Sequence, residues 1–304
     1  MNTPFSDFVR GASTEISTLD EGLLPALTNI LPAGMSVYVA HTPKASLDDV
    51  IRVALKVQSL GFRASPHIVA RRQPSGRALK EALSKLTDGG VEQVLLVAGD
   101  LEKPLGEFTS TLDIIDSGVL EASGIKRAGV AGHPEGHKSI TPADLLAALR
   151  HKQAFGARTG IQMHIVTQFG FNAEHVCTWD RRLTEEGITL PVHVGIAGPT
   201  PLPKLIKFAM HCGVAASMHS FVKNMGAMAN LARLATTPDE MLDGLIRGRA
   251  AYSGSRLVQP HFYAFGGTEA TAKWLRALVD GSSTEEASKE GLASSCNLRP
   301  GKSH

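Results

Sequence analysis

Cysteine is scarce in this chain. Its three cysteines, Cys177, Cys212 and Cys296, are odd in number and far apart, which argues against a disulfide framework and a zinc ribbon. Long apolar stretches are missing as well: no run of about 18 apolar residues occurs, so no membrane-spanning helix is expected. The opening stretch "MNTPFSDFVRGASTEIS" has no apolar signal-like core, and a cytoplasmic protein with no membrane partner is the simplest expectation. An excess of one charge is also lacking. Net charge is +2 with the signs mixed along the chain, leaving no basic stripe to bind nucleic acid. No G-x-G-x-x-G follows any strand-like run, which removes the best support for a dinucleotide-binding open sheet.

What is present is a soluble composition, 43% hydrophobic and 20% charged, over 304 residues. Barrels of the α/β class reach this length as one domain. Eight β-rich runs alternate with helical ones: residues 12–18, 36–42, 64–70, 92–99, 127–133, 162–168, 191–197 and 260–265. In "SLDDVIRVALKVQSLG" (46–61), Val50, Val53, Ala54, Val57 and Leu60 share a face between a Ser46 cap and a Gly61 stop. "GRALKEALSKL" (76–86) and "TPADLLAALRHKQAFG" (141–156) repeat the pattern, the latter with Thr141 as cap and Asp144 at the capping-box position. Further helices are expected over 173–187, 202–212, 224–250 and 268–280. Strand count and length favour a (β/α)8 TIM barrel over an open doubly wound sheet. The barrel is expected to occupy residues 1–280, with 281–304 a polar, mobile tail. "MHS" (218–220) is an alternative for the seventh or eighth strand.

Barrel active sites form at the C-terminal ends of the strands. Polar residues late in the strands are Glu15, His41, His67, Asp100, His133 and Gln168. Glu15 reads either as a mouth carboxylate, its pKa raised by partial desolvation, or as a surface acid on an N-terminal edge. Asp100 ends the strongest strand behind Gly99, where a glycine lets a flat ligand approach; the alternative is an N-cap aspartate. His67, after Pro66, could be a satisfied core histidine, the commoner outcome for a lone His. Gln168 offers a donor and an acceptor to an amide-like heterocycle edge. In "HPEGH" (133–137), His133, Glu135 and His137 have the spacing of a zinc helix, but Pro134 and Gly136 argue against a helix there.

At these residues the chain resembles the methylenetetrahydrofolate reductase family. "VAGDLEKP", "VAGHPEGHKS", "ADLLAALRHKQAFGA", "IVTQFGFN" and "PVHVGIAGPTPLPKL" are similar, in the family's order, to its strand and helix motifs, most strongly over residues 63–205. The resemblance implies a (β/α)8 flavoprotein that binds FAD and a tetrahydrofolate derivative, and a homo-oligomer. By position, Glu15 would be the general acid that protonates N10 of methylenetetrahydrofolate. Asp100 would lie near the flavin N1 edge and the pterin, and Gln168 on the pterin. His67, Gly99, Asp100, His133, His137, Asp144 and Lys152 would contact FAD, with Lys152 toward its pyrophosphate. Two other readings remain. One is a metal-dependent barrel hydrolase using His133, Glu135, His137 and His67; the other is a flavin- or folate-binding protein without catalysis.

The chain departs from the family in definite places. "EISTLD" follows the glutamate where E-F-F-P-P is usual, and the short "AHTPKASLDD" replaces a long second-strand loop. Ala98 and Gly267 stand where arginines are expected, and His133 where tyrosine is usual. The electron donor is left open among NADH, NADPH and another reductant. Reduced or absent turnover with NADH and NADPH is predicted, and steady-state rates typical of the family with either nicotinamide would overturn this.

Overall fold

The computed structural model describes residues 4–212, 235–236 and 238–280. The apolar runs form eight parallel strands: β1 (Ser13–Ser17), β2 (Ser36–Ala40), β3 (Arg63–Val69), β4 (Gln93–Val97), β5 (Arg127–Gly132), β6 (Gln162–Thr167), β7 (Val192–Ala197) and β8 (Leu257–Tyr263). Each pairs with its neighbour in sequence, and β1 pairs with both β2 and β8, so the sheet closes into a barrel. The fold is the expected (β/α)8 TIM barrel. β8 begins three residues before the predicted 260. Pro260 reads as a strand boundary because it lacks a donor, but a register shift between Leu257 and Gln259 lets the strand start earlier. The eighth strand is therefore Leu257–Tyr263, while "MHS" (218–220) lies outside the described residues.

The helices form where capping was legible. Ser46 and Thr141 each accept from the backbone three residues on and start the Leu47–Ser59 and Pro142–Thr159 helices. The latter runs past its expected stop. Gly156 sits inside the helix because a Cβ there would meet Met163 Cγ at 2.6 Å, and the left-handed Gly160 ends it instead. Of the expected 224–250 helix, Asp239–Ala250 is present and 224–234 lie outside the described residues, as does the expected tail (281–304). Among the described residues no helix is long and apolar enough to cross a membrane.

Two regions share the interior unequally. The large apolar core fills the layer between sheet and helices, with Val37, Ile68, Leu96, Val130, Ile165 and Trp274 among its members. Inside the barrel a small cluster of Tyr38, Leu95 and Val166 is surrounded by polar groups. Gln93 Nε2 donates to the Tyr38 hydroxyl at 3.2 Å, which lies 3.1 Å from His164 Nε2. His164 stacks on His193 with ring centroids 4.3 Å apart. Ser13 Oγ lies 2.9 Å from Nδ1 of the fully buried His261.

Burial, aided by neighbouring positive charge, holds His164 down at about 4; burial likewise leaves His261 at about 4. In the unfolded chain these imidazoles return to about 6.5, so as pH falls the unfolded state takes up protons first. Their contribution to stability is complete above about 6.5 and is lost progressively toward about 4, with a slope of about 1.4 kcal/mol per pH unit for each. Urea denaturation should accordingly show a drop of at least ~2 kcal/mol between about pH 7 and pH 5. Equal unfolding free energies at those two pH values would contradict it.

Candidate active site

Strand alternation aims Glu15 the same way as Ser13, two residues before it. Its side chain is 18% exposed, so it is not a surface acid. Glu15 Oε2 lies 3.1 Å from Nε2 of His67 on β3 and 4.0 Å from Nε2 of His261 on β8. The 3.1 Å approach has the distance of an ion pair without the angle of a hydrogen bond. Among the described residues Glu15 Oε2, His67 Nε2 and His261 Nε2 are all buried without an aligned partner. Burial alone would push the Glu15 carboxyl up, but the pull of His67, helped by His261, holds it below its ordinary value. The raised value expected from the sequence is thus corrected, because β3, one strand beyond β2, brings His67 to the carboxylate and the adjoining β8 brings His261, which no strand-end pattern announces.

Asp100 is 64% exposed and caps no helix, since loop follows it until Thr111–Asp116. Its Oδ1 is 3.4 Å from Arg72 Nη2, and Arg72 is anchored by donating to the Thr42 carbonyl at 2.8 Å. Arg71 donates to the carbonyls of Thr109 and Leu101 at 2.8 and 2.9 Å. Two guanidiniums from the end of β3 thus surround the turn where Ala98 replaces the expected arginine. The sequence signal was the pair in "VARRQP", directly after a strand. Gly99 has a simpler reason than ligand access: its φ is +91°, and a Cβ would stand 2.4 Å from Val69 Cγ1.

β5 ends at Gly132, and His133 enters a turn closed by Gly136 N–H donating to the His133 carbonyl at 3.0 Å. "HPEGH" is therefore a loop, with the His133 and His137 rings edge to face at 5.1 Å. Among the described residues no three His, Cys, Asp or Glu side chains converge closely enough to hold a metal ion. Burial first, then His137 and Lys152, take His133 down to about 4. Burial and Lys138 lower His137 as well. Asp144 is exposed and completes the cap, its carboxylate accepting from the Thr141 hydroxyl at 2.6 Å. Gln168 follows β6, its backbone N–H bonded to the Gly132 carbonyl at 2.9 Å and its Oε1 accepting from Phe169 N at 3.2 Å.

These residues gather around two adjoining cavities. One, of about 490 Å³, is lined by Arg71, Gly99, Asp100, His133, His137 and Gln168. The other, of about 540 Å³, includes Asp144, Lys152, Trp179 and Arg182, and the two share His133 to Gly136. Glu15 and His67 line neither, sitting instead among the inward-facing strand residues. Lys152 is 7% exposed, and burial brings it down to about 8. Among the described residues no carboxylate pairs with it. A buried cation without a counter-charge, facing a cavity, suits a bound anion such as a pyrophosphate. Ser13, Tyr38, His261, Arg71 and Arg72 are the residues of this region that sequence reasoning missed.

A family model described as methylenetetrahydrofolate reductase matches residues 26–230. Among solved structures the chain is similar to dihydropteroate synthase (FolP) from Thermus thermophilus. That similarity is at 15% identity and a TM-score of 0.46, covering 95% of this chain and 94% of that one.

If FAD binds here as the family resemblance implies, replacing Lys152 by Met should weaken that binding by roughly 10- to 100-fold, the loss of one charge-assisted contact. Binding to the unaltered protein should decline as the pH rises through about 8, where the ammonium loses its charge. Fluorescence titration with FAD measures both, and equal affinities for the two proteins would refute the assignment.

Proposed function

The chain belongs to the methylenetetrahydrofolate reductase family, and from that premise we propose that it is a flavin-dependent 5,10-methylenetetrahydrofolate reductase producing 5-methyltetrahydrofolate. The observation that carries the reading is Glu15, a carboxylate in the barrel interior whose Oε2 is screened from water and lacks an aligned partner among the described residues. Such an oxygen can hold a proton and pass it to a substrate.

Glu15 delivers a proton to N10 of the bound folate, so that the five-membered ring opens to an iminium. Gln168 would read the pterin edge through its amide, and Asp100, exposed on the cavity wall, would face the pterin and the flavin N1 edge. His67, Gly99, Asp100, His133, His137, Asp144 and Lys152 are the residues that would hold FAD. The fit rests on Lys152, whose buried charge suits the pyrophosphate, and on His133, kept neutral beside it. When bound and reduced, the flavin supplies the hydride. The protein's share is to orient two flat rings and to keep a proton donor near one of them. A homo-oligomer accords with the family.

Glu15→Gln keeps the shape of the side chain and removes the acid. It is expected to retain flavin while folate reduction falls by about 10² or more, the usual contribution of a general acid. Flavin retention is read from absorbance and turnover from anaerobic flavin reoxidation by methylenetetrahydrofolate. Undiminished turnover in this variant would remove Glu15 from the reaction.

A further inference from the structure

The reading of Glu15 as proton donor does not say what three groups beside it, Ser13, His67 and His261, do to its carboxylate. They form one continuous arrangement. Ser13 and Glu15 share the inward face of β1, and the β1–β8 register sets Ser13 opposite His261. Ser13 Oγ holds His261 Nδ1 at 2.9 Å, which leaves the Nε2 of that ring 4.0 Å from Glu15 Oε2. From β3, His67 Nε2 reaches the same carboxylate oxygen at 3.1 Å. One oxygen of Glu15 therefore lies between two imidazoles, and both facing nitrogens are buried without an aligned partner among the described residues.

We propose that His67 and His261 form a clamp on Glu15 that sets the pH range in which it can carry and release its proton, with Ser13 fixing the ring of His261. His261 is in this sense a positioning residue, and the inference rests on Glu15 being the acid. If the Ser13 hydroxyl donates to Nδ1, the ring proton sits on Nε2 and points at the carboxylate. Either imidazole favours the ionised form of Glu15, so the clamp opposes the effect of burial. The other groups around Glu15 are committed elsewhere or carry no charge. Tyr38 on β2 bonds His164, Tyr263 on β8 donates to the Thr167 carbonyl at 3.0 Å, and Ser65 on β3 is a neutral hydroxyl. At the rim, His41 bonds the Ala45 carbonyl and Arg72 lies toward Asp100.

The test follows reoxidation of the reduced, FAD-loaded protein by methylenetetrahydrofolate as a function of pH. The wild-type rate should fall as pH rises and Glu15 loses its proton. In His67→Asn and His261→Asn the falling limb should move upward by about one pH unit, because a pull toward the carboxylate is gone. Ser13→Ala should move it in the same direction, and His261→Gln, which retains a donor, should return it toward wild type. A second measurement needs neither cofactor nor turnover: the side-chain ¹³C carboxyl signal of Glu15 in the apo protein should shift its titration in the same order. It also serves if a histidine variant folds poorly, since Ser13→Ala retains both imidazoles and removes only the contact that fixes one of them. An unmoved limb and an unmoved Glu15 signal in folded His261→Asn would overturn the clamp. A normal rate in Glu15→Gln would overturn the acid assignment beneath it instead.

Discussion

Pairing of β1 with β8 joins residues almost a whole chain apart, and the mouth of the barrel is a product of that closure. Ser13 meets His261 across 248 positions, and Thr14 donates to the Phe262 carbonyl across the same separation. With β2 and β3 on the other side, Glu15 is enclosed by groups from three strands. A closed sheet has no edge, so an inward polar group must find its partner inside the barrel or leave room for a ligand. Tyr38, Gln93 and His164 follow the first course. Glu15 Oε2, His67 Nε2 and His261 Nε2 are left without an aligned partner among the described residues.

The electrostatics of the mouth follow from the same enclosure. Removing water raises the cost of any charge, which keeps His133, His164 and His261 neutral and weakens the hold of Lys152 on its proton. Glu15 is the exception because opposing imidazoles outweigh its burial. Lys152 has no such partner among the described residues. A carboxylate drawn down by its neighbours and an ammonium with no counter-charge among the described residues are the two unbalanced charges of the region.

Much of the fold could be read from the chain. Seven of the eight strands begin within a residue of where alternating apolar runs place them, and caps such as Ser46 and Thr141 mark helix starts. Pro260 misled only about where β8 starts, since a bulge relieves the constraint locally. Of the candidate site, the sequence marked Glu15 within β1 and Asp100 and Gln168 in the turns after β4 and β6. The site was not legible where function depends on which strands become neighbours. His164, His193 and His261 each sit among apolar residues and look like isolated core histidines until the barrel stacks the first two and sets His261 beside Glu15. Arg71 and Arg72 were visible as a pair, but only the fold sets them beside the turn at Asp100. The direction of the Glu15 shift required its neighbours on both sides, and no single strand contains that information.

The separation of the large outer core from the small apolar cluster inside the barrel divides the sequence into two kinds of position. Outward strand residues such as Val37, Leu96 and Ile165 carry the packing that defines the architecture. Inward residues alternate with them and take little part in it, so they can be exchanged while the outer layer keeps its shape. A lineage built this way can revise its reaction one inward residue at a time without passing through an unfolded ancestor.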